Sequence, residues 1–541
     1  MFDLLIIGSG GAGLSAALEA ATAGARVAVA CKSMPTQAQT CMAQGGINAA
    51  LGNVEPDSIE EHIADTLRSA HGLADETMVR TLCEAGPQTI EWLDRMLVPF
   101  SRIQPNKNST HSPLPTTHSL QTIAQRRLGG ASHPRACFAQ DFTGLKILQS
   151  LYDRCLEAGV TFYPEHTLID LISADGRVFG AHFWHFAEGK IHTLQAQATL
   201  LATGGFGDLY HGHSTNAYGA SGDGVAAALR AGAALSDMEY VQFHPTAMAG
   251  SALLISEGAR GAGAILIDEK GERFTDELGP RDQVARAIFQ KIDAGEKVFL
   301  DLRPIPRKTL EELMPQELHL ARLHAHIDPL EEPIPIQPAV HYSMGGIDVD
   351  RRLAARGLEG LWAAGECSNA HVHGANRLGG NSLLEIVAFG RLAARNALAN
   401  LPTPPTAGKI PDPESRIEAI FARNGKFNPY HKRKILGKRL YHDLGIIREE
   451  PGMRSVLEYV AELKEKLSQT ALQDRARRFN RALIEYLEYE SSLLLADAAT
   501  RAALLRRESR GAHWRSDYPE ESKEWEKHIQ VKMNDGEVKT C

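Results

Sequence analysis

Four apolar residues, Leu4-Leu5-Ile6-Ile7, run directly into Gly8-Ser9-Gly10-Gly11-Ala12-Gly13, and this junction constrains the fold more than any other segment of the chain. A continuous apolar run of this length fits a strand buried on both faces. Leu14, Ala17, Leu18 and Ala21 follow at helical spacing, Gly24 ends the pattern, and Val27 to Ala30 supplies a second apolar run. Strand, G-x-G-x-x-G turn, helix and strand in this order describe a dinucleotide-binding unit. Gly8, Gly10, Gly11 and Gly13 let the backbone approach a pyrophosphate, and the helix N-terminus turns its unpaired N–H groups and positive dipole end toward the phosphates. A glycine-rich turn alone could serve tight packing, and it is the flanking order that favours a nucleotide. The second strand ends in Cys31-Lys32-Ser33, where an NAD site would place an acid for the ribose hydroxyls. A differently held dinucleotide is therefore expected.

Composition narrows the function. The 541 residues carry 58 Lys plus Arg against 66 Asp plus Glu, a net charge of -8, which is the wrong sign for a chain that binds nucleic acid or an anionic membrane surface. No apolar stretch reaches the roughly 18 residues of a membrane span. The seven cysteines are scattered without a Cys-x-x-Cys pair, so neither a disulfide framework nor an iron–sulfur cluster is expected, and no metal site is assigned. Met1 leads straight into the first strand without a basic leader, which gives a cytoplasmic expectation.

Farther along, residues 101–135 are rich in Ser, Thr, Pro, His and Asn and read as a long surface excursion covering a site. Ala198 to Gly205 and Leu361 to Glu366 each read as a buried strand ending in or near glycine, both in one nucleotide-binding sheet. The intervening stretch reads as an inserted domain. The expected architecture is α/β: a Rossmann-like dinucleotide-binding domain over 1–235 and 346–404, an inserted α+β domain over 236–345, a helical C-terminal domain over 405–520 and a polar tail over 521–541.

Eight segments carry a resemblance: Ala43-Gln44-Gly45-Gly46-Ile47, Ala202-Thr203-Gly204-Gly205, Gly222-Asp223-Gly224, Gln242-Phe243-His244-Pro245-Thr246, Glu257-Gly258-Ala259-Arg260-Gly261, Pro280-Arg281-Asp282, His341-Tyr342-Ser343-Met344-Gly345-Gly346, and the run from His373 to Ser382. In this order they resemble the flavoprotein subunit of the succinate dehydrogenase/fumarate reductase family, whose nearest relative of different function is L-aspartate oxidase. The resemblance implies FAD beneath a mobile cap, with a C4 dicarboxylate between them. It also explains Lys32 and Ser33, since relatives carry a Lys-containing segment there. Glu366 is implied to bind the ribityl chain, Asp223 to lie near the flavin side, and Gln44, Gly45, Gly46 and Ser382 to line the flavin.

By the same resemblance His244, Ser256, His341 and Arg377 hold the two carboxylates, Ser256 standing where relatives usually carry Thr. A dianion shut away from water needs several cationic or donating groups, and these residues supply them. Arg281 matches the proton donor, and Glu257 with Arg260 matches the relay that reprotonates it. Taken singly, each histidine could be a structural residue and the Glu257–Arg260 pair a surface ion pair. Phe100 could lie near substrate or in the core.

Two departures sort the relatives. Respiratory members usually attach FAD to a histidine in Ser-His-Thr; Ala38-Gln39-Thr40 stands here, and Gln39 cannot form that bond, so the FAD is expected to be noncovalent. In aspartate oxidase a Glu that meets the substrate ammonium precedes two glycines; here Leu128 precedes Gly129-Gly130. The leading expectation is a subunit interconverting fumarate and succinate, exchanging electrons with an iron–sulfur subunit and through it with a possible membrane-anchor subunit. L-Aspartate oxidase stays as the alternative. A non-catalytic flavin-binding scaffold would not require Arg281, Glu257 and Arg260.

Overall fold

The computed structural model describes residues 1–103, 120–402 and 412–541. The Phe2–Ile7 strand lies in parallel between Val27–Ala30 and the second half of Lys190–Leu201, and the Gly11–Thr22 helix makes the crossover. Thr161–Tyr163 extends the sheet on the outer side, and Leu361–Ala363 pairs in parallel with Thr199, Leu200 and Leu201. The two strand readings at 198 and 361 thus meet in one sheet. His166–Ala174 and Arg177–His185 continue it as an antiparallel arm from Lys190–Leu201. Leu4, Leu5 and Ile6 are wholly buried, as a strand covered on both faces requires. Gly11–Thr22 packs on Asn381–Ala399 so closely that a Cβ at Gly390 would lie 2.4 Å from the Ala12 carbonyl oxygen.

Between the two segments of this sheet the chain builds a second unit. Val241–Met248, Ile334–Ser343, Val298–Asp301 and Ile265–Asp268 form an antiparallel sheet in that order. The Arg281–Asp293 helix and two short ones, Arg307–Leu313 and Pro315–Leu320, accompany it. Met248, Leu266, Val284, Ile288, Leu300 and Ile336 make an apolar core separate from the main one. Two cores joined by two crossings are the arrangement expected of a cap inserted in a nucleotide-binding domain. After the Asn381–Ala399 helix, four more follow among the described residues, Glu414–Ala422, Pro429–Asp443, Glu450–Leu467 and Arg481–Leu505. The expected 404/405 boundary falls at 403–411, outside the described residues.

Two sequence expectations need correction. Residues 120–135 are not a surface excursion: Ile123, Leu128 and Arg135 are buried, and Gln125–Arg126 pairs with Ala136–Cys137, which pairs with Ile47–Asn48. Arg135 is neutralised by Asp57 at 2.9 Å and Asp65 at 2.8 Å, so its charge was no sign of exposure. The other half of that reading, 104–119, lies outside the described residues.

The polar stretch 521–541 is also not a tail. Gln530–Asn534 and Glu537–Thr540 form a hairpin, and the first of these strands pairs with Leu235–Ser236, itself paired with Gly346–Asp348. Asp535 and Gly536 adopt φ of 51° and 78°, the left-handed pair that a tight hairpin turn demands. At the crossing into the second unit, Asp237 is also left-handed, with φ 57°, and its carboxylate accepts from Asn369 Nδ2 at 2.8 Å and Ile529 N at 3.2 Å. Ile529 and Val531 are buried. Ile529→Ala is expected to destabilise the protein by about 2–5 kcal/mol; thermal unfolding indistinguishable from the parent would show that the hairpin contributes no packing.

Candidate active site

The glycine turn after Phe2–Ile7 forms the floor of an elongated cavity. Gly8 has φ 111° and a Cβ there would meet the Ala202 carbonyl oxygen at 2.2 Å; a Cβ at Gly13 would lie 1.9 Å from the Gly8 oxygen. The Gly11–Thr22 helix begins without a side-chain cap, so its first N–H groups remain for an anion, apart from Gly11 N, which donates to Thr40 Oγ1 at 2.9 Å. Cys31, Lys32, Ser33, Gln39, Thr203, Gly205, Asp223, Glu366 and Ser382 line the rest of the cavity, with Gly8, Gly10 and Gly11 beneath. The donor set and the shape fit a dinucleotide.

Lys32 does more than edge this cavity. Its Nζ donates to Asp223 Oδ2 and Gly219 O at 2.6 Å each, and to Glu488 Oε1 at 2.9 Å. Burial opposes the charge, but Asp223 and Glu488 outweigh it and hold the ammonium above its ordinary pKa. Asp223 is therefore tied to Lys32 and bonded by Ser221 Oγ at 2.6 Å. Glu366 Oε1 accepts from Ser343 N at 2.9 Å, and burial raises its carboxyl to about 7. Gln39 Oε1 accepts from Ala217 N at 2.7 Å.

Met42 and Ala43 belong to the cavity wall; Gln44, Gly45 and Gly46 continue from them without lining the cavity, and Gly46 has φ 125°. Arg126, which sequence reasoning missed, fixes this segment by donating to Gly45 O and Gln44 O, both at 2.8 Å, while stacking on Phe138 at 4.3 Å.

The cavity reaches Leu254, His341 and Tyr342 of the second unit, and there the charged groups gather. Glu257 is buried between two arginines: Arg281 Nη2 lies 2.5 Å from Oε2, and Arg260 Nη2 3.3 Å from Oε1. Against the cost of burial, Arg281 and then Arg260 hold the Glu257 carboxyl down to about 2. The i,i+3 pair is thus no surface ion pair. Arg281 Nη1 also donates to Gln242 Oε1 at 3.0 Å, and Gln242 Nε2 donates to Arg377 O at 2.8 Å. Space around Glu257 is full: a Cβ at Gly129 or at Gly379 would lie 2.5 Å from its oxygens.

His244 and His341 stand edge to face with ring centroids 5.0 Å apart. Burial, and then Arg281, Arg260 and Arg377, depress the His244 pKa far below the usual histidine range; burial, His244 and Arg281 do so for His341. Both imidazoles are neutral. His244 Nδ1 lies 3.2 Å from both the N and the O of Thr246, so the Thr246 backbone holds the ring by its Nδ1 edge. Thr215 Oγ1 meets His341 Nδ1 at 2.8 Å.

Arg377 is the least satisfied cation of this group. It donates to Leu378 O at 3.3 Å and lies 4.4 Å over the Tyr342 ring, but its Nε is buried with no hydrogen-bond partner. Burial and Arg281 lower its pKa to about 10. A buried guanidinium with a donor to spare is what a carboxylate ligand would satisfy. Tyr342 OH donates to Glu385 Oε2 at 2.7 Å, so Arg377 rests on an anchored ring. Ser256 caps the short Glu257–Gly261 helix by accepting from Gly258 N at 2.9 Å, and its own N donates to Glu317 Oε1 at 2.8 Å. Burial, reinforced by Asp141, raises Glu317 to about 8.

All seven residues expected around the dicarboxylate therefore lie in one buried neighbourhood. Gln242, Tyr342, Glu385 and Glu317 were missed as its partners; only Gln242 and Tyr342 stood inside quoted motifs. Leu128 is buried, with its Cδ1 3.7 Å from where a Gly45 Cβ would sit. Phe100 belongs to the apolar core with Val98 and Ile123.

A parallel sheet with a glycine-floored dinucleotide cavity closed by an inserted cap defines an FAD-binding oxidoreductase. Residues 3–383 match the family of the FAD binding domain, and residues 433–540 match the fumarate reductase flavoprotein C-terminal family. The chain belongs to the succinate dehydrogenase/fumarate reductase flavoprotein subunits. It is 39% identical over 577 residues to the succinate dehydrogenase flavoprotein subunit of Coxiella burnetii, covering 99% of this chain and 95% of that one. To the fumarate reductase flavoprotein subunit of Escherichia coli K12 it is 34% identical over 550 residues, covering 95% and 88%. The FrdA subunit of E. coli quinol fumarate reductase superposes with a TM-score of 0.93 at 33% identity, covering 100% of this chain and 96% of the other. Among the described residues no helix is long and apolar enough to cross a membrane.

Proposed function

We propose that the chain interconverts fumarate and succinate, with Arg281 as the proton donor and acceptor. The observation that carries this reading is the buried line Arg281–Glu257–Arg260, set beside two neutral imidazoles and an incompletely satisfied Arg377. When bound, FAD supplies hydride exchange at N5. Arg377, His244, His341 and the Ser256 hydroxyl hold the two carboxylates, replacing the water the dianion gives up. The Arg281 guanidinium delivers a proton to the alkene carbon, and the Glu257 carboxylate 2.5 Å away takes a proton from Arg260, which is recharged from solvent, and passes it back to Arg281. Arg260 keeps Glu257 ionised and oriented. Because Glu257 is held at about 2, kcat/KM is expected to show no acid limb near pH 4.5 from this carboxylate; an inflection there that vanishes in Glu257→Gln would contradict it.

The units that meet at this site are taken as 1–235 with 346–404 for FAD and 236–345 for the cap. Gln39, hydrogen-bonded to Ala217 N, makes no covalent link, so FAD is held by the glycine floor, Lys32, Ser33, Asp223, Glu366 and Ser382. After acid precipitation all flavin is expected in the supernatant; flavin in the pellet would refute noncovalent attachment.

Electrons are exchanged with an iron–sulfur subunit, which can tie the complex to a membrane anchor at the cytoplasmic face. Support for these partners comes from the relatives, which are named as subunits of succinate dehydrogenase and fumarate reductase. Aspartate oxidation is disfavoured by Leu128, since an ammonium group buried against leucine lacks a partner. Assays with reduced viologen and fumarate, beside L-aspartate and oxygen, decide between the two: turnover with aspartate alone would overturn the assignment.

A further inference from the structure

The hairpin that joins Arg177–His185 to Lys190–Leu201 carries His185, Glu188 and His192, none of which belongs to the site above. One ligand atom from each lies within 4.8 Å of the other two. His185 Nδ1 is 3.3 Å from Glu188 Oε1, and His192 Nε2 is 3.3 Å from Glu188 Oε2. In tetrahedral zinc sites with metal–nitrogen bonds of about 2.0–2.1 Å, neighbouring ligand atoms stand roughly 3.4 Å apart.

A single carbonyl places one proton in the ring behind the cluster. His166 is buried, and its Nδ1 lies 2.6 Å from Pro164 O, which can only accept, so Nδ1 carries the proton. His166 Nε2 faces His192 Nδ1 at 2.9 Å, so one proton bridges the two rings. His192 turns its other ring nitrogen, Nε2, toward the Glu188 carboxylate at 3.3 Å. His185 Nδ1 is itself buried and makes no hydrogen bond. A cation seated among the two imidazole nitrogens and the carboxylate would satisfy all three groups at once.

The backbone is already set for one. Phe479 N donates to Phe186 O at 2.8 Å, and Arg478 Nε and Arg477 Nε donate to Ala187 O and Gly189 O, each at 3.0 Å. Little order remains to be gained on binding. The outer chain His192–His166–Pro164 has the form that orients metal-bound histidines, an imidazole N–H passed on to a fixed acceptor.

We propose that His185, Glu188 and His192 form a divalent transition-metal site, zinc by ligand type, with solvent in the fourth position, and that it braces the nucleotide end of the FAD cavity through His166. His166 lines that cavity, and its N donates to Cys31 O at 2.9 Å, one residue before Lys32. Two nitrogens and a carboxylate suit zinc over magnesium or calcium. The site is independent of which substrate the enzyme turns over.

The test uses tag-free, FAD-loaded protein freed of metal by chelator and dialysis. Calorimetric titration with Zn²⁺ should show a tight equivalent, and Co²⁺ should give the visible bands of a tetrahedral N,O site. His185→Ala and His192→Ala should each weaken Zn²⁺ binding by more than the about 10–100-fold typical of outer-shell changes, and His166→Phe by about that amount. The flavin spectrum of each variant reports that it is folded. No stoichiometric uptake by the parent, or equal affinity in the His185→Ala/His192→Ala double variant, would overturn the site. With metal bound, FAD release should slow in the parent and not in the double variant; equal release rates would overturn the bracing.

Discussion

Arg281→Lys is expected to lower fumarate reduction by about 10²–10⁴-fold, the usual contribution of a positioned acid, with flavin content unchanged. The parent guanidinium meets Glu257 through Nη2 at 2.5 Å and Nε at 3.2 Å, and Gln242 through Nη1 at 3.0 Å. Three contacts in one plane fix where the proton is offered. An ammonium is a point charge on a flexible stem and cannot reproduce that fork, although it keeps the site's charge. The comparison therefore separates proton delivery from electrostatics. Single-turnover measurement with reduced enzyme and fumarate checks it, and near-parental rates would remove Arg281 from its role.

Arg377→Met is expected to act on binding instead. Methionine retains much of the buried stem and deletes the charge. Loss of one partner of a buried, hydrogen-bonded charge pair costs about 2–5 kcal/mol, roughly 30- to 5,000-fold in Kd for the dicarboxylate. Titration of the oxidised flavin spectrum with fumarate measures it directly. A Kd close to the parent's would show that both carboxylates are held elsewhere and that the free Nε of Arg377 serves another purpose.

The nucleotide unit is legible in the sequence because its physics is local. A doubly buried strand must be continuously apolar, and the turn after it must be glycine where a Cβ would strike Ala202 or Gly8. The substrate-side residues come from segments far apart in the chain, and their placement together was reached through the order of motifs, not through periodicity. What escaped reading is the support for them. Glu317 reaches Ser256 from a short helix of the cap, Arg126 reaches Gln44 and Gly45 from a two-residue strand, and Glu385 reaches Tyr342 from a long helix. Each contact depends on a fold that no local pattern encodes. Charge misled at both corrected segments. Arg135 looks like a surface residue until Asp57 and Asp65 are seen around it. The hairpin at 530–540 hides two buried aliphatic residues among lysines and glutamates, although Asn534-Asp535-Gly536 was a turn signal available in the sequence.

That hairpin also sets an order of events in biosynthesis. The strands at 235–236 and 346–348 are the roots of the two crossings into the cap, and their shared sheet is continued by residues nearly three hundred positions downstream of the first. A nascent chain that has already formed its glycine floor and its cap still has an unbraced pivot between them. Synthesis of the downstream helices must precede the pairing that ties these two crossings together, so the fixed setting of the second unit on the first is among the later features this polypeptide acquires.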